Sequence, residues 1–407
     1  MHRYFSDAHR ALRARVRDFA LDSVVPVARE LDASSRFPWE NVRTMGELGL
    51  LGVPVPREFG GQGLDYTSYI LTVEELARHD ASHAITVSAH TTLGSGPILQ
   101  FGSRAQQERY LPLLASGRVL GGFGLTEPGA GSDSAGTRTR AVPEGDGYRL
   151  DGSKIFITHA GVGEIFTVTA VTDPEAGARG ISAFIVTKPS VDAERVRALG
   201  LGPREGELSY TPGVRSGKKE DKMGWRASDT RELLLEEARV GADGLLGVEG
   251  EGFVNFMQTL DAGRIGIAGL SLGLAHGAFE AAVRYTAARR QFARPLFDFQ
   301  QVQFPLADLA TELEAGEHLT YNAARLKDEG QPFSREAAMA KLFCSELAMR
   351  ATLTAVQLMG GAGYSDDHPV ERMARDAKIC EIGEGTSEVQ RLVIARHILR
   401  DVLGAAA

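Results

Sequence analysis

Apolar residues recur at helical spacing over the first quarter of the chain. Two such helix faces are formed by Leu12, Val16 and Phe19 and by Tyr66, Tyr69, Ile70, Val73 and Leu76. Ser103 and Gln106 have the spacing of a capping box ahead of Leu111 and Leu114. The pattern predicts an α-helical N-terminal domain over residues 1–119.

Between residues 120 and 240 the pattern changes to the alternation that is typical of strands. Short β-type runs, separated by turns rich in Gly and Pro, occur at 148–150, 154–157, 165–171, 181–186 and 231–235. No helical pattern lies between them, which favours an antiparallel barrel-like or sandwich domain over a parallel sheet. The polar, Gly-rich residues 190–222 are expected to form a surface excursion, to which the sequence assigns no function.

Long helical patterns return in residues 241–407, with apolar residues at Val302, Leu306, Leu309 and Leu313. A further long helix is predicted over residues 334–359, with Ser334 as its N-cap. Helices of this length favour a bundle. The chain is therefore predicted to be a multi-domain α+β protein.

Composition narrows the function classes. The 407 residues carry a formal net charge of -8, with 43% hydrophobic and 24% charged residues, and this balance does not indicate nucleic-acid binding. The two cysteines, Cys344 and Cys380, fall in predicted helices without metal-ligand spacing, which favours buried thiols in a reducing compartment and no metal site. No signal-like segment and no stretch of about 18 apolar residues is found, so a soluble cytoplasmic protein without membrane insertion is expected.

One carboxylate stands on a glycine-flanked turn near the C-terminus. Glu384 lies between Gly383 and Gly385, and the capping-box spacing of Ser387 and Gln390 predicts a helix that begins near Ser387. Glycines let the backbone turn sharply, so the carboxylate can project into a cleft. Glu384 is the candidate base. The alternative is a carboxylate that stabilises a helix N-terminus by about 0.3 to 1 kcal/mol.

A second motif occupies residues 123–133 and reads Phe-Gly-Leu-Thr-Glu-Pro-Gly-Ala-Gly-Ser-Asp. It leaves a predicted strand and enters a turn where Thr126 and Ser132 offer hydroxyls beside bare backbone. Such a segment can bind a polar ring edge or a phosphate. An ordinary β-turn without a ligand is the alternative.

These two motifs, together with residues 154–158, 289–292 and 357–364, closely resemble the acyl-CoA dehydrogenase family. The resemblance covers nearly the whole chain in order and spacing. It implies an α-helical N-terminal domain, a β middle domain over residues 120–240 and a C-terminal four-helix bundle over residues 241–407. It also implies FAD as cofactor, an acyl-CoA substrate, an electron-transfer flavoprotein as electron acceptor and a homotetramer.

The resemblance assigns flavin contacts in the middle domain to Phe123, Leu125, Thr126, Ser132, Phe156, Ile157 and Thr158. Ser132 is also expected to contact the CoA arm. Phe156 replaces the Trp usual in the family, so ring stacking survives while the indole N–H is lost.

A second set of residues matches the family's FAD contacts that reach across a subunit boundary. This set is Arg289, Gln291, Phe292, Gln300, Gln357, Gly360, Gly361, Thr386, Ser387 and Glu388. A guanidinium suits a diphosphate because its donors are forked and permanently charged. A solvated basic helix end is the alternative reading of Arg289 and its neighbour Arg290.

The resemblance places Asp261 and Arg264 beside the CoA pantetheine, although an intrahelical i, i+3 ion pair remains an alternative. Gly383 and Gly385 are expected to border the acyl group. Many relatives have Tyr at the position of Gly383. Together with Gly263, this glycine is expected to widen the acyl pocket, which predicts a preference for branched or bulky acyl chains.

The implied reaction is the α,β-dehydrogenation of an acyl-CoA thioester to trans-2-enoyl-CoA. Glu384 takes the α proton, flavin N5 accepts the β hydride, and the Glu384 N–H helps to hold the thioester oxygen. Some relatives carry the base at the position of Gly263, which leaves Glu384 as the candidate in this chain. Two alternatives remain open: an acyl-CoA oxidase that reduces oxygen, and a catalytically inert binding protein with the same fold.

Overall fold

The computed structural model describes residues 5–404. The predicted N-terminal and C-terminal domains therefore extend beyond the described residues, by residues 1–4 and 405–407 respectively. The N-terminal region is helical. Its helices are α1 (Asp7–Phe19), α2 (Val25–Ser34), α3 (Trp39–Glu47), α4 (Tyr66–Ala77), α5 (Ala81–Ser88), α6 (Gly96–Phe101) and α7 (Arg104–Ala115), with π-helical segments at Ala20–Val24 and Ala89–Ser95. The capping box of Ser103 and Gln106 at the start of α7 is confirmed.

The middle region is an eight-stranded sheet. Its strands are β1 (Gly121–Gly124), β2 (Arg140–Glu144), β3 (Gly147–Thr158), β4 (Ile165–Val171), β5 (Ile181–Thr187), β6 (Val214–Lys219), β7 (Thr230–Val240) and β8 (Leu245–Leu246). The order is β6-β7-β3-β2-β4-β5-β8, and β1 pairs with β4. The sheet is mixed: most pairs are antiparallel, as predicted, while β1 and β2 run parallel to β4. Alternating residues of β3 and β7 bury one face of the sheet around Leu150 and Leu233.

The C-terminal region is built on long helices. Its elements are α9 (Gly252–Ala288), the hairpin β9 (Arg290–Gln291) and β10 (Arg294–Pro295), α10 (Gln300–Asp328), α11 (Ser334–Met359), α12 (Gly361–Tyr364), α13 (Val370–Ala377) and α14 (Ser387–Leu403). Short connections make α9, α10 and α11 antiparallel neighbours, and α14 packs on α11. The bounds predicted for α11 are confirmed. Its predicted N-cap is wrong, since Phe333 occupies that position and Ser334 is the first helical residue.

Helix α9 is apolar around most of its circumference because it lies in the centre of the fold. By length and composition alone it could cross a membrane, and 78% of its most apolar stretch is buried. It packs against α4, α10 and α11, so its hydrophobicity is that of a core helix. Arg264 and Glu280 interrupt it with charges, so the helix contains no uninterrupted apolar stretch of about 18 residues.

Residues 190–222 hold more structure than a surface excursion would. They contain the short helix α8 (Ala193–Ala198) and strand β6. The Trp39 indole N–H donates to Asp192 at 2.8 Å, and the Lys219 ammonium donates to the Ser35 carbonyl at 2.7 Å. The segment therefore joins the middle region to the N-terminal helices.

Candidate active site

The turn that carries Glu384 has an unusual backbone. Glu384 has φ of 54° and Gly385 has φ of 97°. The left-handed region costs a residue with a side chain about 1 to 3 kcal/mol, so surrounding contacts must hold this turn. Helix α14 begins at Ser387 as predicted, but Thr386 is the N-cap, and its hydroxyl accepts from the Val389 N–H at 3.3 Å. The prediction that Ser387 caps the helix is therefore wrong by one residue.

The Glu384 carboxylate faces the interior. Its Oε2 is buried and has no hydrogen-bond partner within residues 5–404. Burial raises the pKa of Glu384 to about 7, although the charges of Lys341 and Arg264 favour its ionised form. Tyr66 and Tyr69 of α4 lie close enough for the Glu384 charge to act on their hydroxyls. A carboxyl group that titrates near neutral pH in an apolar site suits a general base.

Gly263 of α9 makes room for this carboxylate. A Cβ at position 263 would lie 2.0 Å from Glu384 Oε2, closer than any real contact allows. The expectation that Gly263 widens the acyl pocket is therefore wrong, because Glu384 fills that space. At Gly383, by contrast, a Cβ would meet only the Ile379 carbonyl oxygen, at 3.5 Å.

Asp261 and Arg264 lie one turn apart on α9, beside the same space. Arg264 is buried and its guanidinium donates to the Asp261 carboxylate. The intrahelical ion pair is therefore present. The Arg264 Nε is buried without a partner among the described residues, so the guanidinium retains a donor, and contact with CoA stays a prediction.

Lys341 is a site residue that the sequence reasoning missed. Its ammonium donates to the Gly385 carbonyl at 2.7 Å, and the Gln390 side-chain amide donates to the same oxygen at 2.9 Å. These two bonds hold the turn after Glu384. A signal was present in the sequence, because Lys341 shares helical spacing with the apolar residues Ala337 and Cys344 and so falls on a core-facing position.

The Phe123 motif reaches the same helix from the sheet side. Phe123 lies in β1 and its ring stacks on Phe256 of α9, with centroids 4.0 Å apart. Phe256 and Gly263 are seven residues apart, which places them on one face of α9 about 10 Å apart along its axis. One helix face therefore connects Phe123 with Glu384, and Leu125 is buried in the same apolar cluster as Phe123.

A buried ion pair that was also missed fixes the Pro/Gly turn. The Lys154 ammonium contacts Glu127 at 2.7 Å, and Glu127 also accepts from the Thr139 N–H at 3.0 Å. Burial alone raises the pKa of Glu127, but the Lys154 charge and these hydrogen bonds bring it well below its usual value. The turn thus stays rigid while Thr126 remains partly accessible and Ser132 exposed.

Phe156 lies in a bulge of β3. The register between β3 and β7 shifts between Lys154 and Ile157, and Phe156 has φ of 58°. Its side chain is 61% exposed, whereas Ile157 is buried and Thr158 is partly buried. A bulge re-aims a side chain in this way, and the ring offers a flat apolar surface.

The residues matched to the cross-subunit contacts lie elsewhere. Arg289 follows the end of α9, 26 residues beyond Gly263, which is about 39 Å along the helix. Phe292 and Ala293, at the tip of the β9–β10 hairpin, have φ of 51° and 64°, and Phe292 is 89% exposed. Gln291, Gln300, Gln357, Gly360 and Gly361 are likewise exposed. Within one chain this set is not brought to Glu384, whereas Thr386, Ser387 and Glu388 follow it directly.

Family models match three consecutive parts of the chain. They are the acyl-CoA dehydrogenase N-terminal domain over residues 6–118, the middle domain over 122–238 and the C-terminal domain over 250–399. A short-chain specific acyl-CoA dehydrogenase of Clostridium acetobutylicum is 46% identical over 389 residues, which are 96% of this chain and 97% of that protein.

Solved structures agree with this relationship. The butyryl-CoA dehydrogenase of Megasphaera elsdenii matches with a TM-score of 0.91 and 44% identity, over 98% of this chain and all of that one. A chain in a structure described as the electron transferring flavoprotein of Acidaminococcus fermentans matches with a TM-score of 0.92 and 45% identity, at the same coverage. With its three domains matched in order, the chain belongs to the acyl-CoA dehydrogenase family.

Proposed function

We propose that the chain dehydrogenates a short-chain acyl-CoA thioester to trans-2-enoyl-CoA with bound FAD and with Glu384 as the base. The observation that carries this proposal is the Glu384 carboxylate itself. Its Oε2 is buried and has no protein partner among the described residues, and Gly263 leaves it space. Its pKa of about 7 lets it accept a proton near neutral pH.

The residues on both sides of the site fit FAD. Phe156 presents an exposed ring, and Thr126 and Thr158 offer hydroxyls on the neighbouring backbone. A Cβ at Gly129 or Gly131 would meet nothing within 4 Å, which leaves bare backbone for a close ligand. Ser387, at the start of α14, has a buried hydroxyl without a partner in the described chain, as expected for a group that awaits a ligand. FAD, when bound, accepts the hydride from the substrate's β carbon.

The protein's own groups handle the proton and the thioester. The Glu384 carboxylate removes the α proton and becomes a neutral acid, which the apolar surroundings favour. The Glu384 backbone N–H has no acceptor within residues 5–404 and is the proposed donor to the thioester oxygen. Arg264 and Asp261 border the pantetheine arm.

The acyl group is proposed to be short and linear. The sequence-based expectation of bulky chains depended on two glycines, and only Gly383 leaves open space. On the opposite side, the Tyr69 hydroxyl bonds to Ser88 at 3.0 Å, and a Cβ at Gly266 would lie 2.7 Å from that hydroxyl. This tight packing supports a limited pocket, as do relatives named for short-chain and butyryl substrates.

An electron-transfer flavoprotein is the proposed electron acceptor, supported by the structural match named for such a protein. A homotetramer is proposed as well. Large apolar side chains are exposed on the C-terminal region, which supports subunit contacts, and they include Phe292, Phe304, Leu353, Tyr364, Leu392, Ile398 and Leu399. In such an assembly, Arg289, Gln291, Phe292, Gln300, Gln357, Gly360 and Gly361 would hold the FAD of a neighbouring subunit. A cytoplasmic location stays a prediction.

Glu384→Gln tests the proposal. The variant should keep bound FAD, since the amide preserves the shape of the turn, yet lose at least about 1,000-fold in the rate of anaerobic flavin bleaching by butyryl-CoA. Glu381→Gln is the matched control, because Glu381 is a neighbouring carboxylate paired with Lys378 at 2.6 Å. It should bleach at the wild-type rate.

The same assay separates the remaining alternatives. Faster bleaching by isovaleryl-CoA than by butyryl-CoA would contradict the short linear substrate. Peroxide formation in air that keeps pace with turnover would favour an oxidase. Wild-type protein that binds FAD but is bleached by no acyl-CoA would favour an inert binding protein.

A further inference from the structure

Lys341 places a positive charge in the interior without a direct ionic partner. The residue is fully buried on α11, and its ammonium donates to the Gly385 carbonyl at 2.7 Å. Within residues 5–404, no carboxylate oxygen lies within 4.0 Å of its Nζ. Burial of an ammonium group without such a partner costs several kcal/mol. Burial accordingly lowers the pKa of Lys341 to about 8, while an anion slightly farther away helps to keep the group charged at neutral pH.

The groups that face Lys341 identify that anion. They are Cys380, Glu384 and Glu381 on the segment that carries the turn, and Arg264 on α9. Burial raises the pKa of the Cys380 thiol to about 12, so the thiol is neutral at pH 7. Glu381 is already paired with Lys378, and Glu388, on which the Lys341 charge also acts, is exposed to solvent at the start of α14. Glu384 is therefore the carboxylate that remains to offset the Lys341 charge.

The groups that face Glu384 lead to the same pairing. From α9 it faces Arg264, whose guanidinium already pairs with Asp261. From α4 it faces the hydroxyls of Tyr66 and Tyr69, which burial keeps protonated. Arg264 and Asp261 together carry no net charge. Lys341 thus supplies the net positive charge beside Glu384.

We propose that Lys341 is a positioning residue that holds the Gly385 carbonyl and keeps Glu384 ionised in its apolar site. This inference rests on the proposed role of Glu384 as base. Without the ammonium, burial would leave Glu384 protonated at neutral pH and unable to accept the α proton. An opposite charge at close range favours the ionised form of a carboxyl group.

Two variants separate the charge from the hydrogen bond. Lys341→Gln removes the charge and keeps a donor for the Gly385 carbonyl, whereas Lys341→Met removes both. In both variants the acid limb of the pH profile of kcat/KM should move upward by about one pH unit or more. Lys341→Gln should therefore lose about fivefold or more in kcat/KM at pH 7 and recover at pH 9. Lys341→Met should also lose activity at pH 9, because its turn is no longer held.

A second readout does not depend on turnover. The carbonyl stretch of protonated Glu384, recognised by its disappearance in Glu384→Gln, can be followed by pH-difference infrared spectroscopy of the resting protein. It should titrate at higher pH in both Lys341 variants. If the infrared titration of Glu384 shifts but the pH profile of kcat/KM does not, Glu384 is not the base, although its pairing with Lys341 is supported.

Lys188→Gln is the matched control. Lys188 is another buried lysine, and its ammonium donates to the carbonyls of Gly161 and Gly163 in the middle region. Its loss should leave the Glu384 titration unchanged. FAD absorbance and the unfolding midpoint verify that each variant is folded, and if Lys341→Met does not fold, Lys341→Gln carries the test. Identical infrared titrations in wild type and folded Lys341→Gln would overturn the proposal.

Discussion

At the scale of single residues, the protonation of Glu384 reflects opposing influences. Burial favours the neutral acid, while Lys341 and Arg264 favour the carboxylate, and the resulting pKa is about 7. The left-handed backbone of Glu384 adds strain of about 1 to 3 kcal/mol. A residue held in this way serves chemistry at the expense of stability.

Glu384→Gln should therefore stabilise the fold in a pH-dependent way. The pKa of Glu384 rises from 4.5 to about 7 on folding, so the folded state binds more protons and stability falls as pH rises between these values. Above pH 7 the full cost of the buried charge is present. We expect the variant to exceed wild type by about 1 to 3 kcal/mol at pH 8 and to approach it as the pH falls toward 4.5.

Thermal unfolding at pH 5 and pH 8, with Glu381→Gln alongside, measures this difference. A Glu384→Gln variant that unfolds below wild type at pH 8 would show that the carboxylate is net stabilising. The pH-independent strain of the turn should be common to both proteins and cancel in the comparison.

At the scale of elements, one face of α9 sets the distance between the flavin side and the base. Phe256 stacks on Phe123, and Gly263, two helical turns later, accommodates the Glu384 carboxylate. Phe256, Thr259 and Gly263 are buried along this face, which limits any adjustment. The number of residues between Phe256 and Gly263 on α9 therefore sets the distance between the flavin contacts and the base.

Gly263→Ala should disable the enzyme with little change in FAD binding. The added methyl would lie 2.0 Å from Glu384 Oε2 and must displace it. We expect kcat for butyryl-CoA to fall at least about 100-fold, since small displacements of a reacting group have effects of this size. Gly96→Ala is the control, because its Cβ would meet only the Thr91 carbonyl at 3.6 Å. Wild-type turnover by Gly263→Ala would contradict the tight fit.

Local patterns predicted much of this arrangement, and long-range packing accounts for what they missed. The Glu384 turn, the Phe123 motif and α11 could be predicted because their signals lie within a few consecutive residues. The contacts of Gly263 and Lys341 could not, since both depend on which helix packs against the turn. The N-cap at Thr386 was missed because adjacent hydroxyl residues, Thr386 and Ser387, compete for the same position.

At the scale of the whole molecule, the base and the exposed hairpin lie at opposite ends of the C-terminal helices. Gly263 and Arg289 are about 39 Å apart along α9. Phe292 and Ala293 hold strained backbone at the hairpin tip although both are exposed. Exposed strain combined with an exposed aromatic ring is expected of a surface that a partner covers.

Phe292→Asp should therefore disrupt the proposed tetramer. Burying a carboxylate in a subunit contact and near a cofactor diphosphate is unfavourable. We therefore expect the tetramer to dissociate into smaller oligomers or monomers, and the affinity for FAD to fall at least about tenfold. Analytical ultracentrifugation and flavin fluorescence measure both effects. Leu21→Asp, at another exposed apolar residue near the N-terminus, serves as control. An intact tetramer with unchanged FAD affinity in Phe292→Asp would exclude the hairpin from the contact.

The fit between Gly263 and Glu384 also has an evolutionary consequence. Because a side chain at 263 would enter the volume that the Glu384 carboxylate fills, two positions far apart in sequence share a single space. A lineage that moves its carboxylate from one position to the other must pass through an ancestor with either two groups in that space or none. Neither intermediate is expected to dehydrogenate its substrate at the full rate. The two positions are thus expected to change together and rarely, which would make them durable markers of descent within the family.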